Sequence, residues 1–231
     1  MDEQYLKIGY IPAVIYGSES ERVYIFVHGK CGRKEEAESF AGLVSTSGFQ
    51  VISIDLPEHG ERQGEKNTFY PWIAVPEFKT VMEYAKRRWK HISLRATSIG
   101  AWLSMLAYQS DSLEKCLFVS PVLDMEKLIE NMMLWVGVTS KELESREEIE
   151  TDFGETLSWK YYQFAKENKI QRWPFPTEIL YAEKDNLTDF ETVKAFSEKF
   201  SCNYTVMKNG EHWFHTDEQL AFLKGWEQKA L

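Results

Sequence analysis

The sequence is short of three things, and each shortage excludes a class of protein. It has no apolar run long enough to cross a bilayer, so neither a membrane span nor a membrane partner is expected. It has only three cysteines, Cys31, Cys116 and Cys202, an odd number at unpatterned spacings. They read as free thiols in a reducing cytoplasm, not as a disulfide framework. It also lacks positive charge: 27 Lys and Arg stand against 36 Asp and Glu, a formal net charge of −9. Binding a phosphate backbone needs a basic face, so a nucleic-acid partner is excluded, and the acidity is assigned to solubility. Met1-Asp2-Glu3-Gln4 has neither the basic n-region nor the apolar run of a secretory signal, which again points to the cytoplasm. There are no internal repeats and no low-complexity tract.

What is present suits a single α/β domain over residues 1–231, with 43 % hydrophobic and 14 % aromatic residues for a core and an aromatic pocket. Tyr5 to Tyr16, with Pro12 inside, suggests edge strands. Arg22 to Val27, Phe49 to Asp55, Ile92 to Ala96, Lys115 to Val119, Glu178 to Ala182 and Asn203 to Met207 read as strands, several of them continuous apolar runs buried on both faces. Helical stretches lie between them. One runs from Glu35 to Ser45, and another has an apolar face of Val75, Phe78, Met82, Ala85 and Trp89. Further helices are expected from Ala101 to Tyr108, from Asp189 to Phe200 and from Trp213 to Lys229. This alternation predicts a doubly wound, mostly parallel sheet of about eight strands with helices on both faces.

One insertion interrupts the alternation. Residues 122–176 carry no strand signal but three helical segments, Asp124 to Trp135, Ser140 to Glu150 and Glu155 to Glu167. We expect a small helical cap over the strand ends. The substrate pocket is expected to draw on Cys31, Trp135, Trp159 and Trp213.

In doubly wound sheets ligands sit beyond the C-terminal strand ends, where His28, Asp55, Ser98 and Asp185 all fall. Ala96-Thr97-Ser98-Ile99-Gly100 links a strand to a helix, with small residues two places on either side of Ser98. A sharp strand-to-helix turn needs that, because larger side chains there would collide. A serine hydroxyl is a poor nucleophile until a base takes its proton, and the base must be oriented by a carboxylate. Downstream, Asp185 follows a strand and His212 precedes the last helix, in the order Ser, Asp, His. Asp124 is a rival acid, Glu183 lies nearer the strand's end, and Asp189 reads as a helix N-cap. His215, three residues after His212, raises metal ligation, but no third partner converges, so no metal or other cofactor is expected. His91 falls at the foot of a strand, His59-Gly60 fixes the turn after Asp55, and His28 is read as structural. The developing oxyanion needs two N–H donors: Ile99 for one, and for the other Lys30, with Cys31 second. Cys31 lacks an elbow of its own and is rejected as a nucleophile.

Taken together, His28-Gly29 with Gly32, Asp55-Leu56-Pro57 with His59-Gly60, the Ser98 pentapeptide, the Asp185 loop and Gly210-Glu211-His212 resemble the α/β-hydrolase superfamily over essentially the whole chain. Ala96 stands where the superfamily usually has glycine, and Ser98 sets the chain apart from dehalogenases and epoxide hydrolases, which carry Asp there. The chain looks most like small bacterial esterases and serine-aminopeptidase-like hydrolases with a short cap. The resemblance implies a Ser98–His212–Asp185 triad, oxyanion donors at Lys30 and Ile99, and a small-molecule ester substrate cleaved by two-step acyl transfer. A peptidase, amidase or thioesterase would use the same residues. A small-ligand binder on this fold is the reading from another class, against which stands the retention of all three triad residue types.

Overall fold

The structure is a computed structural model and describes residues 1–231. Glu3–Ile8 (β1) and Ile11–Tyr16 (β2) form an antiparallel hairpin whose turn, Gly9-Tyr10, begins with a glycine at φ +65°. Strands and helices then alternate through Arg22–Val27 (β3), Ala37–Val44 (α1), Gln50–Ile54 (β4), Pro71–Arg88 (α2), His91–Thr97 (β5), Ile99–Tyr108 (α3) and Cys116–Val119 (β6). An inserted segment follows: Met125–Trp135 (α4), Ser140–Arg146 (α5), Glu148–Glu150 (β7), Thr156–Ser158 (β8) and Trp159–Glu167 (α6). Thr177–Lys184 (β9), Phe190–Phe200 (α7), Asn203–Glu211 (β10) and Asp217–Ala230 (α8) complete the chain.

Eight strands make one sheet in the order β1-β2-β4-β3-β5-β6-β9-β10. β2 pairs antiparallel with both its neighbours, β1 and β4, and every other pairing in the sheet is parallel. The strand sequences explain why both faces are covered. In β3, Val23, Ile25 and Val27 enter a core with Phe78 of α2 and Trp102 of α3, while Tyr24 and Phe26 enter a second core with Phe40 of α1 and Trp226 of α8. Period-two alternation thus sends apolar groups both ways, and the strand reads as one apolar run.

The inserted segment departs from the expected all-helical form. α5 ends at Arg146, and residues 148–150 and 156–158 pair as a short hairpin with Ile149 opposite Leu157. Those two apolar residues are the only buried ones in their strands, and three-residue strands are too short to reveal a period. α6 therefore starts at Trp159, capped by Ser158, whose hydroxyl accepts from the Tyr161 N–H. The last helix also starts late. Thr216 and Gln219 form a capping box at Asp217, so Trp213 to Thr216 are loop. β10 continues past Met207 to Glu211 through a register shift.

Candidate active site

Ser98 sits at the junction of β5 and α3 with φ +51° and ψ −124°, a backbone conformation that L residues rarely hold. Its surroundings keep it there. Its N–H donates to the Val119 carbonyl at 3.0 Å, and its own carbonyl accepts from Ala101 and Val122, each at 3.1 Å. The small flanking residues have steric reasons. A Cβ on Gly100 would stand 2.5 Å from the His28 carbonyl oxygen, and one on Gly29 would stand 3.3 Å from the Ser98 Cβ. Ala96, fully buried, lies in register between Val27 and Phe118. The turn after β3 is thereby pressed against the serine.

Asp185 is set by an Asx-type turn at the end of β9. Its Oδ1 accepts from the Leu187 and Thr188 N–H groups at 2.8 and 3.0 Å. The carboxylate is fully buried, and its Oδ2 accepts from His212 Nδ1 at 2.7 Å. His212 follows the irregular end of β10, where Asn209 takes φ +57° and donates its N–H to Glu183 at 2.8 Å. That kink returns the imidazole over the sheet. Asp185 can only accept, so the proton sits on His212 Nδ1 and leaves Nε2 to accept from the Ser98 hydroxyl at 2.8 Å. The structure thus brings together three side chains separated by 87 and 27 residues, the counts running from 98 to 185 and from 185 to 212.

The rivals go elsewhere. Asp124 caps α4, accepting from the Lys127 N–H at 3.0 Å, and Asp189 caps α7, accepting from the Thr192 N–H at 2.8 Å. His91 pairs with Glu114 at the foot of the sheet. His215 donates to the Trp213 carbonyl at 2.8 Å. No group of three or more His, Cys, Asp or Glu side chains converges as a metal site.

Lys30 and Cys31 occupy the centre of a turn closed by the Gly32 N–H donating to the Gly29 carbonyl at 3.2 Å, and the N–H groups of both are free of protein acceptors. Ile99 opens α3, so its N–H has no carbonyl one turn back and lies at the positive end of the helix. The turn is anchored from below. His28 is fully buried; its Nδ1–H donates to the Gly29 carbonyl at 2.7 Å and its Nε2 accepts from the Leu56 N–H at 3.1 Å. Burial pushes the His28 pKa down to about 4, so the ring is neutral and structural. Gly32 is required here, since a Cβ would approach the imidazole to 2.9 Å. Burial likewise lowers the pKa of His59, whose Nδ1–H donates to the Pro57 carbonyl. Next along, Lys34 joins this loop to the one after β4. Its N–H and ammonium donate to the two oxygens of the buried Asp55 at 2.8 and 3.0 Å. Burial alone would lower the Lys34 pKa, but hydrogen bonds to Glu35, Glu61 and Asp55 outweigh it and hold the pKa above its usual value. Gly60, at φ +52°, leaves room for that carboxylate, which a Cβ would overlap at 2.1 Å.

The four residues expected to line a substrate pocket differ in exposure. Cys31 is exposed in the turn beside Lys30. Trp159 packs on Tyr162 with ring centroids 5.7 Å apart. Trp135 is 50 % exposed against Phe153, and Trp213 is 75 % exposed, stacked on His215. Both rings are thus largely open to solvent. The face an aromatic takes depends on packing that no local pattern encodes. The aromatic cluster that does form joins Trp72 of α2, Trp102 of α3, and Tyr161 and Phe164 of α6. Sequence reading missed the role of Trp72 and Trp102, although the position of Trp102 one turn after Ser98 was a usable signal. It also missed Glu155, in the loop between β7 and β8, which forms an ion pair with Lys30.

Comparison with known proteins adds the fold. No protein-family model matches the sequence, and no curated protein does. Solved structures do match. Est1E from Butyrivibrio proteoclasticus, with ferulic acid bound, aligns with a TM-score of 0.78 at 18 % identity over 98 % of this chain and 96 % of that one. A putative hydrolase from Agrobacterium vitis aligns at 0.76 and 14 % over 99 % and 98 %. Alpha/beta hydrolase domain-containing protein 10 from mouse aligns at 0.76 and 12 % over 99 % and 98 %. The chain has the α/β-hydrolase fold.

Proposed function

We propose that the protein is a serine hydrolase that cleaves a carboxylic ester of a small, moderately apolar substrate through an acyl-Ser98 intermediate. The observation that carries the reading is the hydrogen-bonded series from Ser98 through His212 to Asp185, at 2.8 and 2.7 Å, on a serine held at φ +51°. His212 takes the hydroxyl proton as Ser98 Oγ attacks the ester carbonyl. The charge that develops on the carbonyl oxygen is met by the N–H groups of Lys30 and Ile99. His212 then protonates the leaving alcohol, and a water repeats the cycle on the acyl-enzyme. Asp185 keeps the imidazole in the tautomer that accepts.

In this reading the whole chain is one α/β-hydrolase domain and residues 122–176 are its cap. The neighbours lend support: Est1E was solved with ferulic acid bound, and a monoacylglycerol lipase from Paleococcus ferrophilus shares the fold. No helix is long and apolar enough to cross a membrane. Three unpaired thiols suit a reducing compartment, and we place the protein in the cytoplasm.

The test is Ser98→Ala. Turnover of a p-nitrophenyl ester and labelling by a fluorophosphonate are expected to vanish while the thermal midpoint stays at or above that of the parent. Undiminished turnover in the variant would end the assignment.

A further inference from the structure

His212 bonds two partners at once. An imidazole is rigid, with its nitrogens at a fixed separation. It can meet Ser98 at 2.8 Å and Asp185 at 2.7 Å only while those two side chains stand at one distance from each other. That distance depends on how the ends of β5 and β9 are joined. β6 lies between them, and its ladder with β9 closes at Val119 opposite Leu180, followed by the Ser120 N–H donating to the Leu180 carbonyl at 2.8 Å. Asp185 lies beyond that point. On the other side, the pairing of β9 with β10 slips between Met207 and Glu211. The acid therefore sits past the regular ladder on both sides.

One buried side chain ties it back. Thr188, 5 % exposed, donates its hydroxyl to the Pro121 carbonyl at 3.0 Å, and its N–H donates to Asp185 Oδ1 at 3.0 Å. Pro121 falls between the two residues that hold the Ser98 backbone. The Val119 carbonyl accepts from the Ser98 N–H at 3.0 Å, and the Val122 N–H donates to the Ser98 carbonyl at 3.1 Å. Through Thr188 the carboxylate and the serine are thus linked without passing through the imidazole. A neighbouring tie, from Lys127 to Asp189 and Thr192 at 2.6 and 2.8 Å, is exposed, and exposed pairs hold little. Losing the Thr188 hydroxyl leaves a buried carbonyl without its partner, so this tie is the stronger one.

We propose that Thr188 is a positioning residue that holds Asp185 at the distance from Ser98 which His212 spans. The proposal rests on the reading of Ser98, His212 and Asp185 as the reacting set. Thr188 acts through Asp185, so its loss falls on the chemical step and not on substrate binding.

Thr188→Val removes the hydroxyl and keeps the branched shape, whereas Thr188→Ser keeps the hydroxyl. With a p-nitrophenyl ester, kcat is expected to fall about ten- to 100-fold in Thr188→Val while KM stays within about twofold, and Thr188→Ser to stay within about threefold of the parent. A second readout is independent of turnover. Two-bond nitrogen–proton correlation spectra of histidine-labelled protein, recorded where the imidazole is neutral, show which ring nitrogen carries the proton. The parent and Thr188→Ser are expected to keep it on His212 Nδ1, and Thr188→Val to show a mixture of both tautomers. A threonine that only fills space would lower the thermal midpoint and leave kcat and the tautomer alone. That result, or a Thr188→Ser variant as impaired as Thr188→Val, would overturn the proposal. Should Thr188→Val not fold, Thr188→Ala removes the same hydroxyl without setting a methyl against the Pro121 carbonyl, and carries the same expectations. A parent without the Nδ1 proton would overturn the triad reading and this proposal with it, whereas a proton held equally in parent and Thr188→Val would overturn the proposal alone.

Discussion

Asp185→Asn tests the proposed proton relay most sharply, because it changes one atom and leaves the turn intact. The introduced amide can still accept the Leu187 and Thr188 N–H groups through its oxygen, the bonds that Asp185 accepts at 2.8 and 3.0 Å. The atom facing His212 then becomes an NH2 group. Two donors would meet where a 2.7 Å bond now stands, so the imidazole moves its proton to Nε2 and accepts through Nδ1 instead. In that tautomer Nε2 donates toward Ser98 and cannot take its proton. The corresponding change in a serine protease lowers kcat by about 10⁴, which at about 1.4 kcal/mol per decade is about 5.5 kcal/mol of transition-state stabilisation. The structure predicts a similar loss here, with stability changed by about 1 kcal/mol or less, since one hydrogen bond is exchanged for another. Ester turnover by stopped-flow and urea unfolding of the same preparation measure the two quantities. A loss of less than about tenfold, with the fold intact, would refute the proposed relay.

Two further outcomes follow from the geometry. Ser98→Gly should raise stability by about 1 kcal/mol, because glycine holds φ +51° without strain; a thermal midpoint about 2–4 °C higher is the expected reading, and a lower one would show that the elbow is unstrained. His28, neutral with a pKa of about 4, makes stability depend on pH. Below about 6.5 the unfolded chain takes up a proton that the folded chain refuses until near 4, so the unfolded state binds more protons and stability falls as pH falls across that window, by up to about 3 kcal/mol, and is flat above it. Urea midpoints at several pH values in the parent and in His28→Asn should show a shallower dependence in the variant, and identical slopes would exclude His28 as the source.

The parts of the fold that could be read in advance are those dictated by near neighbours. β3 and β4 are apolar because both faces of the sheet are covered, and the requirement is visible residue by residue. The Ser98 turn is legible for a similar reason, since Gly100 and Ala96 answer clashes within a few residues or with the adjoining strand. Asp185 could be preferred over Asp124 by loop position alone. What stayed hidden depends on distant partners. The Ile149–Leu157 pairing occupies too few residues to show a period, and Lys30 meets Glu155 across 125 positions. Aromatic residues are abundant, and only packing tells that Trp72 turns inward while Trp213 stands in solvent.

The proposed reaction centre and the wall above it are held by interactions of different strength. The Lys30 turn is joined to the rest through Lys34 and the fully buried Asp55, and the loop after β4 through Arg62, whose guanidinium donates to the buried Glu77 at 2.6 and 2.8 Å. Replacing such pairs by apolar residues is often neutral, but removing one partner costs about 3–5 kcal/mol. Their effect is directional: they allow these loops one arrangement. The hairpin of the inserted segment is tied across the same turn by Lys30 and Glu155, both well exposed, and exposed pairs contribute about 0–1 kcal/mol. Breaking that pair alone therefore requires far less free energy than displacing the N–H donors, whereas lifting the whole hairpin would also expose Ile149 and Leu157, which are buried in the main core. In the proposed reading, the Lys30–Glu155 pair can open while the hydrogen bonds among Ser98, His212 and Asp185, which share no partner with it, stay in place.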